Sequence, residues 1–304
     1  MPKTTSRLRT PFIHQLRMSI GGFFKWKSLA PVTILAYAIL VIWALLSLFP
    51  LYWMAKNSLE PAMSLNQFPP NLVPINPTIE NFMILIERVP IGRWTLNTLI
   101  VSTSRTVGAI FFGAMAGYAF AKLNFAGREI IFWILMSTLM IPSFITIIPQ
   151  YQVIVRLGWL DTFAALIVPG LTGGVWSMFL MRQFVKTLPS ELLEAARIDG
   201  ATEFGIFSKI ILPLMKPAIA VLGIFTFIAN WNNFLWPLLV TTSNSMRLLA
   251  IGLSLLEGGT ASAQAASQGQ VLAGSTLAAI PMIIIFLIFQ RYFLRGITIG
   301  AIKG

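Results

Sequence analysis

Few residues in this chain are equipped for chemistry. There is no cysteine, and the single histidine, His14, lies in a polar N-terminal stretch. Disulfides, thiolate nucleophiles and multi-histidine metal sites are therefore excluded. The interiors of the long apolar runs hold no Asp or Glu, so neither a general acid–base pair nor an acidic proton relay can be assembled there. No G-x-x-x-x-G-K-[ST] phosphate loop, nucleophile elbow or zinc motif occurs. Three groups remain: Arg105 with its hydroxyl neighbours, the amide–aromatic run Asn230-Trp231-Asn232-Asn233, and the polar stretch 182–211. Their chemistry is binding and mechanical coupling rather than catalysis, and the chain reads as a non-enzyme.

Arg105 stands well inside an apolar run, beside Ser102, Thr103, Ser104 and Thr106. A cation in the hydrocarbon core costs ~2.5–3.5 kcal/mol on insertion scales, so it must face a protein interior or water. Three roles fit it: lining a translocation path, pairing with polar groups of another subunit, or snorkelling outward. Asn230, Trp231 and Asn233 combine amides with an aromatic face, which suits the C–H faces and hydroxyls of a sugar. An interfacial aromatic belt fits the same residues equally well.

The elements that carry these groups follow from composition. Hydrophobic residues make up 56% and charged residues 11% of the 304, and mean hydropathy is +0.78, far from the mix of a water-soluble domain. Apolar runs at about 29–54, 94–121, 130–149, 162–181, 212–236 and 271–294 each reach the ~20 residues a helix needs to cross a bilayer. Backbone groups in lipid must be paired internally, and no period-two barrel pattern is present, so an all-α membrane protein with six transmembrane helices is expected. Sixteen Lys and Arg residues lie in the first 28 residues, the second-to-third and fourth-to-fifth connections and the C-terminus; five lie in the opposite loops. This asymmetry predicts that both termini are cytoplasmic. The net charge of +12 is explained by this topology, and no stacking platform for nucleic acid accompanies it.

The predicted organisation is a basic cytoplasmic tail (1–28), a first span (29–54), an external segment (55–93), five further spans (94–294) and a cytoplasmic tail (295–304). The external segment is rich in proline but predicted to be partly helical through Phe82, Ile84, Leu85 and Ile86. Residues 257–270, EGGTASAQAASQGQ, are expected to form a flexible outer loop. Gly113-Ala114-Met115-Ala116-Gly117 offers a small-xxx-small packing face. Pro142, Pro169 and Pro281 are expected to interrupt or kink their spans.

The stretch 182–211 departs from a simple turn. Ser190 is placed to cap a helix whose first turn holds Glu191 and Glu194. Gly200 suits a left-handed position that ends it, and Thr202-Glu203 opens a second short helix toward Pro213. A helix–turn–helix that presents small residues to a partner and an amphipathic loop lying on headgroups both satisfy this pattern.

Glu194-Ala195-Ala196, Gly200, and Ile210, Leu212 and Pro213 resemble the EAA signature of ABC importer permeases: E-A-A, three residues, G, nine residues, I-x-L-P. Every defined position matches. Asn97-Thr98-Leu99, Trp231 to Pro237 and Gln290 to Gly304 are similar to the carbohydrate branch, in particular its maltose-type (MalG-like) members. The likeness covers roughly residues 30 to 304. It implies a type I ABC importer permease fold, with 94–294 as the ABC transmembrane type-1 domain and 182–211 as its coupling loop. It further implies an ATPase dimer that docks on that loop and uses ATP and Mg, no cofactor on this chain, a second homologous permease, and an external substrate-binding protein. Bacterial inner-membrane location and a sugar or polyol substrate are implied as well. A proton-coupled secondary sugar transporter is the alternative, and the missing acidic relay counts against it.

Overall fold

A computed structural model of the chain describes residues 31–257 and 261–301, with side chains at 31–256 and 268–290. The basic tail 1–28, with His14, and the Lys303-Gly304 ending lie outside the described residues. Every described element is helical. The chain divides into two units, residues 1–53 and 54–304.

The helix α1, Pro31–Ser58, leaves the apolar residues from Val32 to Tyr52 exposed. After it come a 3₁₀ turn, Ala62–Asn66, and the external-segment helix α2, Glu80–Arg88. The face α2 buries is Asn81 and Leu85, whereas Ile86 is exposed. The predicted helix is present: of the four apolar residues expected on its face, Leu85 is buried, Phe82 and Ile84 are half-buried and only Ile86 is exposed. Asn81 is buried beside them, and its amide donates to the carbonyls of Ser58 and Glu60 at 3.0 and 2.7 Å.

The long helix α3, Ile91–Lys122, is the axis of the larger unit. It is followed by α4 (Arg128–Thr138), α5 (Ser143–Arg156), α6 (Phe163–Ile167) and α7 (Gly174–Lys186). Gly113 and Gly117 of α3 let α7 approach closely. A Cβ on Gly113 would sit 2.8 Å from that of Ser177, and one on Gly117 2.6 Å from that of Met181. The small-residue face is therefore a packing seam, as its spacing predicts.

Beyond α7 lie α8 (Glu191–Ile198), α9 (Glu203–Ile206), a π-helical turn Phe207–Ile211, α10 (Leu212–Leu214) and α11 (Lys216–Trp231). The last elements are α12 (Leu235–Val240), α13 (Leu249–Ser254) and α14 (Ala261–Ala301).

Among the described residues, three helices are long and apolar enough to cross a membrane: Pro31–Ser58, Ile91–Lys122 and the part of α14 from Gln268 to Gln290. Three bent pairs reach that length only when each is taken as one span. They are α4 with α5 (96°), Phe163–Gly170 with α7 (41°), and Glu203–Leu214 with α11 (76°). Pro142 stands at the first break and Pro169 precedes the second, where Gly173 and Gly174 take φ of +65°. Proline steers the preceding residue out of the helical region and cannot donate to the turn before it. Pro281 lies within the continuous α14.

Residues 261–270 correct the sequence reading. They begin α14 and do not form the expected loop. A helix tolerates Ala, Gln and Ser readily, and Gly269 lies so close to Asn81 that a Cβ would collide with its amide. Docking on the external segment thus decides what local composition left open.

Candidate functional site

The stretch 182–211 folds as two short helices set against α3 and α7. Leu193 and Ala196 of α8 are buried with Ile206 and Phe207, in a cluster with Tyr118, Met181, Val185 and Met215. The apolar face is therefore used inside the protein and is not left to lie on headgroups. Glu194 and Ala195 point the other way and are exposed, as are Gly200 and Pro213; Ile210 and Leu212 are half-buried against the same cluster.

Gly200 has φ +79°, a conformation that costs an L-residue with a Cβ ~1–2 kcal/mol. Its N–H donates to Arg197 O, and that of Ala201 donates to Ala196 O at 2.9 Å. This is a Schellman closure, and it turns the chain sharply into α9. Thr202 then caps α9 by accepting from the Gly205 N–H at 3.1 Å. Ser190 departs from expectation. It occupies the N-cap position but makes no capping bond, and its hydroxyl instead accepts from Lys122 Nζ at 3.0 Å.

Two polar ties that the sequence did not reveal hold this loop to the end of α3. Lys122 Nζ also donates to Leu188 O at 2.6 Å. Tyr118 donates its hydroxyl to Glu203 Oε2 at 2.6 Å, while Arg197 Nε pairs with Glu203 Oε1 at 2.8 Å. Nearby, Arg182 is 4% exposed, lies 3.6 Å over the Phe132 ring and donates to Phe120 O. The loop is thus packed and hydrogen-bonded against α3 and α7, and it leads through the π turn and α10 into α11 across a bend of 76°. On its outer surface Ile198 is 87% and Phe204 65% exposed, so the turn at Gly200 is flanked by uncovered apolar side chains.

The second candidate region is a cavity of about 550 Å³ between α3, α7 and α11, lined by Arg105, Gly170, Trp176, Thr226 and Asn230 among others. A Cβ on Gly170 would collide with the Arg105 guanidinium, which packs directly against this glycine. Arg105 and Asn230, 125 positions apart, are thereby brought to one site. Trp231 and Asn233 are not among the lining residues. Trp231 is buried instead, stacked on Phe227 with its indole N–H donating to Ala278 O, and Asn233 lies past the end of α11, its N–H on Asn230 O. The helical period accounts for this: Trp231 is turned by about 100° from Asn230 toward α14. Gly170, Trp176 and Thr226 were not singled out from the sequence, because none carries a motif and only the α6–α7 break brings the first two to Arg105. Among the described residues no group of His, Cys, Asp and Glu could hold a metal ion.

Comparison with known proteins agrees with this architecture. Residues 109–299 match the family described as binding-protein-dependent transport system inner membrane component. The arabinooligosaccharides transport system permease protein AraQ of Bacillus subtilis is 39% identical over 265 residues, 86% of this chain and 92% of that protein. The sn-glycerol-3-phosphate transport system permease protein UgpE of Yersinia enterocolitica is 36% identical, covering 87% and 95%. Among solved structures, a bacterial ABC transporter involved in import of the acidic polysaccharide alginate has a chain that superposes with a TM-score of 0.78 at 24% identity. The match covers 89% of this chain and 99% of that one. A helix–turn–helix beside a broken-helix bundle, matched over most of its length by transport permeases, has one consistent assignment: this chain belongs to the family of binding-protein-dependent transport system inner membrane components and is a transport subunit, not an enzyme.

Proposed function

We propose that the chain is one of two membrane subunits of an ATP-driven, binding-protein-dependent importer of a sugar or related polyol in a bacterial inner membrane. Its α1, α3, α4–α5, α6–α7, α9–α11 and α14 would be the six spans, with both termini in the cytoplasm. A separate ATPase dimer, which uses ATP and Mg, docks on the turn at Gly200. A second, homologous permease completes the pathway, and an external binding protein delivers the substrate to the segment 55–93. The relatives' named substrates, arabinooligosaccharides and sn-glycerol 3-phosphate, support a hydroxyl-rich cargo.

One observation carries the reading. The EAA segment forms a capped, buried-face lever whose outer surface presents Glu194, Ala195 and Ile198 uncovered, while Tyr118 and Lys122 fasten it to α3. Closure of an ATPase against Glu194 to Gly200 would move α8, and the π turn and Pro213 would pass that motion to α11. Glu194 then meets a basic group of the ATPase, and Ile210, Leu212 and Pro213 connect the lever to the span.

The test is ATP-driven uptake by the complete transporter in vesicles. Proline cannot adopt φ +79°, and at position 200 it also removes the N–H bonded to Arg197. Glu194→Lys reverses the charge on an exposed residue. Both variants should still insert and assemble while uptake falls by an order of magnitude or more (a ~1.4 kcal/mol effect). Normal uptake by either one sinks the docking assignment. Uptake that disappears when the proton gradient alone is collapsed, with ATP still present, favours a secondary carrier.

A further inference from the structure

Arg105 has no hydrogen bond or ion pair among the described residues, and its Nε is buried without a partner. Two hydroxyls beside it on α3, Ser102 Oγ and Thr106 Oγ1, are likewise buried and unpartnered. A charge in the interior of a membrane helix normally finds an opposite charge or backbone carbonyls, yet no Asp or Glu lines the cavity that holds this guanidinium. The unmet group is the anion.

Across the cavity, Asn230 is nearly buried and spends its amide N–H on its own helix, donating to Thr226 O at 2.8 Å. Its carbonyl oxygen remains to accept from a hydroxyl. Trp176 lends the wall an aromatic face and is 51% exposed, suited to the C–H face of a sugar ring. Guanidinium donors form a planar fork that matches a carboxylate or phosphate in two parallel bonds. The volume of about 550 Å³ lies within the range of small-ligand sites.

We propose that this cavity is an anion-selective subsite, and that the transported molecule is an acidic sugar or polyol: a carboxylate- or phosphate-bearing one, with Arg105 on the anionic group and Asn230 on a hydroxyl. The inference rests on the importer reading and narrows its substrate class. Gly170 is part of the site, because only a residue without a Cβ leaves room for the guanidinium there.

The experiment is calorimetric titration of the complete transporter in phosphatidylcholine nanodiscs. The probes are D-glucuronate, sn-glycerol 3-phosphate and neutral D-glucose. The wild type should bind one or both anionic probes about tenfold or more tighter than glucose, as expected for a charge-assisted pair. The stronger of the two anionic probes then distinguishes carboxylate from phosphate. Arg105→Gln should abolish the preference and Arg105→Lys should keep part of it. Equal binding of glucose by the wild type overturns the proposal, and so does an undiminished preference in Arg105→Gln. An effect that vanishes when anionic lipid is added makes a headgroup the occupant and overturns it too, and an acidic residue of the partner permease cross-linking to position 105 would do the same. If Arg105→Gln fails to assemble, the wild-type selectivity and the lysine variant still decide. ATP-driven uptake by the wild-type preparation reports separately on the importer reading. An intact importer with no anion preference therefore refutes only the substrate class.

Discussion

Lys56 and Glu60 form an ion pair of 2.8 Å with side chains only 2% and 3% exposed. In the sequence Lys56 counts as one of five basic residues of the outer loops, with nothing to distinguish it from a solvated residue. Asn81 fixes the same turn by donating to the carbonyls of Ser58, between the two partners, and of Glu60 itself. Removing one member of a buried pair strands the other and costs about 3–5 kcal/mol, whereas replacing both by apolar groups is often neutral. Lys56→Met should therefore lower the thermal unfolding temperature strongly, and Lys56→Met with Glu60→Leu should recover most of the loss. Equal destabilisation by the single and double variants would mean that the pair is not the anchor of the external segment. Arg182 makes the same point: counted as a cytoplasmic-loop charge, it is a buried residue of α7 that bonds Phe120 O of α3 and lies over Phe132 of α4. Charge counting addresses topology, but it cannot say which charges are buried.

At the scale of elements, α3 and α7 form the main packing seam, and glycine spacing predicted it. Helix association in lipid has little hydrophobic drive, so close van der Waals contact has to supply it. Gly117 lies within 2.7 Å, through a hypothetical Cβ, of the Arg182 backbone nitrogen, which cannot yield as a flexible side chain would; Gly92, on the same helix, has nothing within 4 Å. Gly117→Ala should thus destabilise by about 1–3 kcal/mol, while Gly92→Ala should be neutral or stabilising by up to ~1 kcal/mol. Thermal unfolding of the purified protein in detergent compares them directly, and the reverse order would contradict the seam. The breaks between elements were only half legible. Pro142 and Pro169 marked two of the three breaks, whereas Pro281 lies within a continuous helix and the break before Lys216 was not foreseen; nor does a proline specify 96° rather than 41°, since the angle is set by what the two pieces pack against. For the same reason the small, polar residues 261–270 read as a loop. They are helical instead, and Gly269 among them packs against Asn81, nearly 190 positions away.

For the whole molecule, the proposed topology places the lever and the external segment on opposite faces of the bilayer. The absence of cysteine makes the chain a clean background for testing this. A single cysteine at Met63, which is 90% exposed, should react with a membrane-impermeant maleimide added to intact cells. One at the exposed Lys186 should react only after the membrane is opened. Labelling of both from the same side would refute the six-span arrangement. The arrangement also gives the molecule a mechanical layout. The EAA segment is tied to one end of α3 through Tyr118 and Lys122, and the Arg105 cavity lies further along the same helix, so one continuous helix joins the proposed coupling segment to the proposed substrate subsite.

The membrane class and the family were legible in the sequence alone, and so was the segment proposed here as the coupling element. Each depends on local quantities: apolar length, charge asymmetry, and a contiguous signature from Glu194 to Pro213. Tertiary structure alone decided which candidate residues share a site. Arg105 meets Asn230 and Gly170 because α3, the broken α6–α7 pair and α11 converge there, while Trp231, adjacent in sequence, turns away with the helical period. It also decided that Glu203 answers Tyr118 and that Arg105 is left unanswered. Pairing is a property of positions in space, and no single stretch of chain records it.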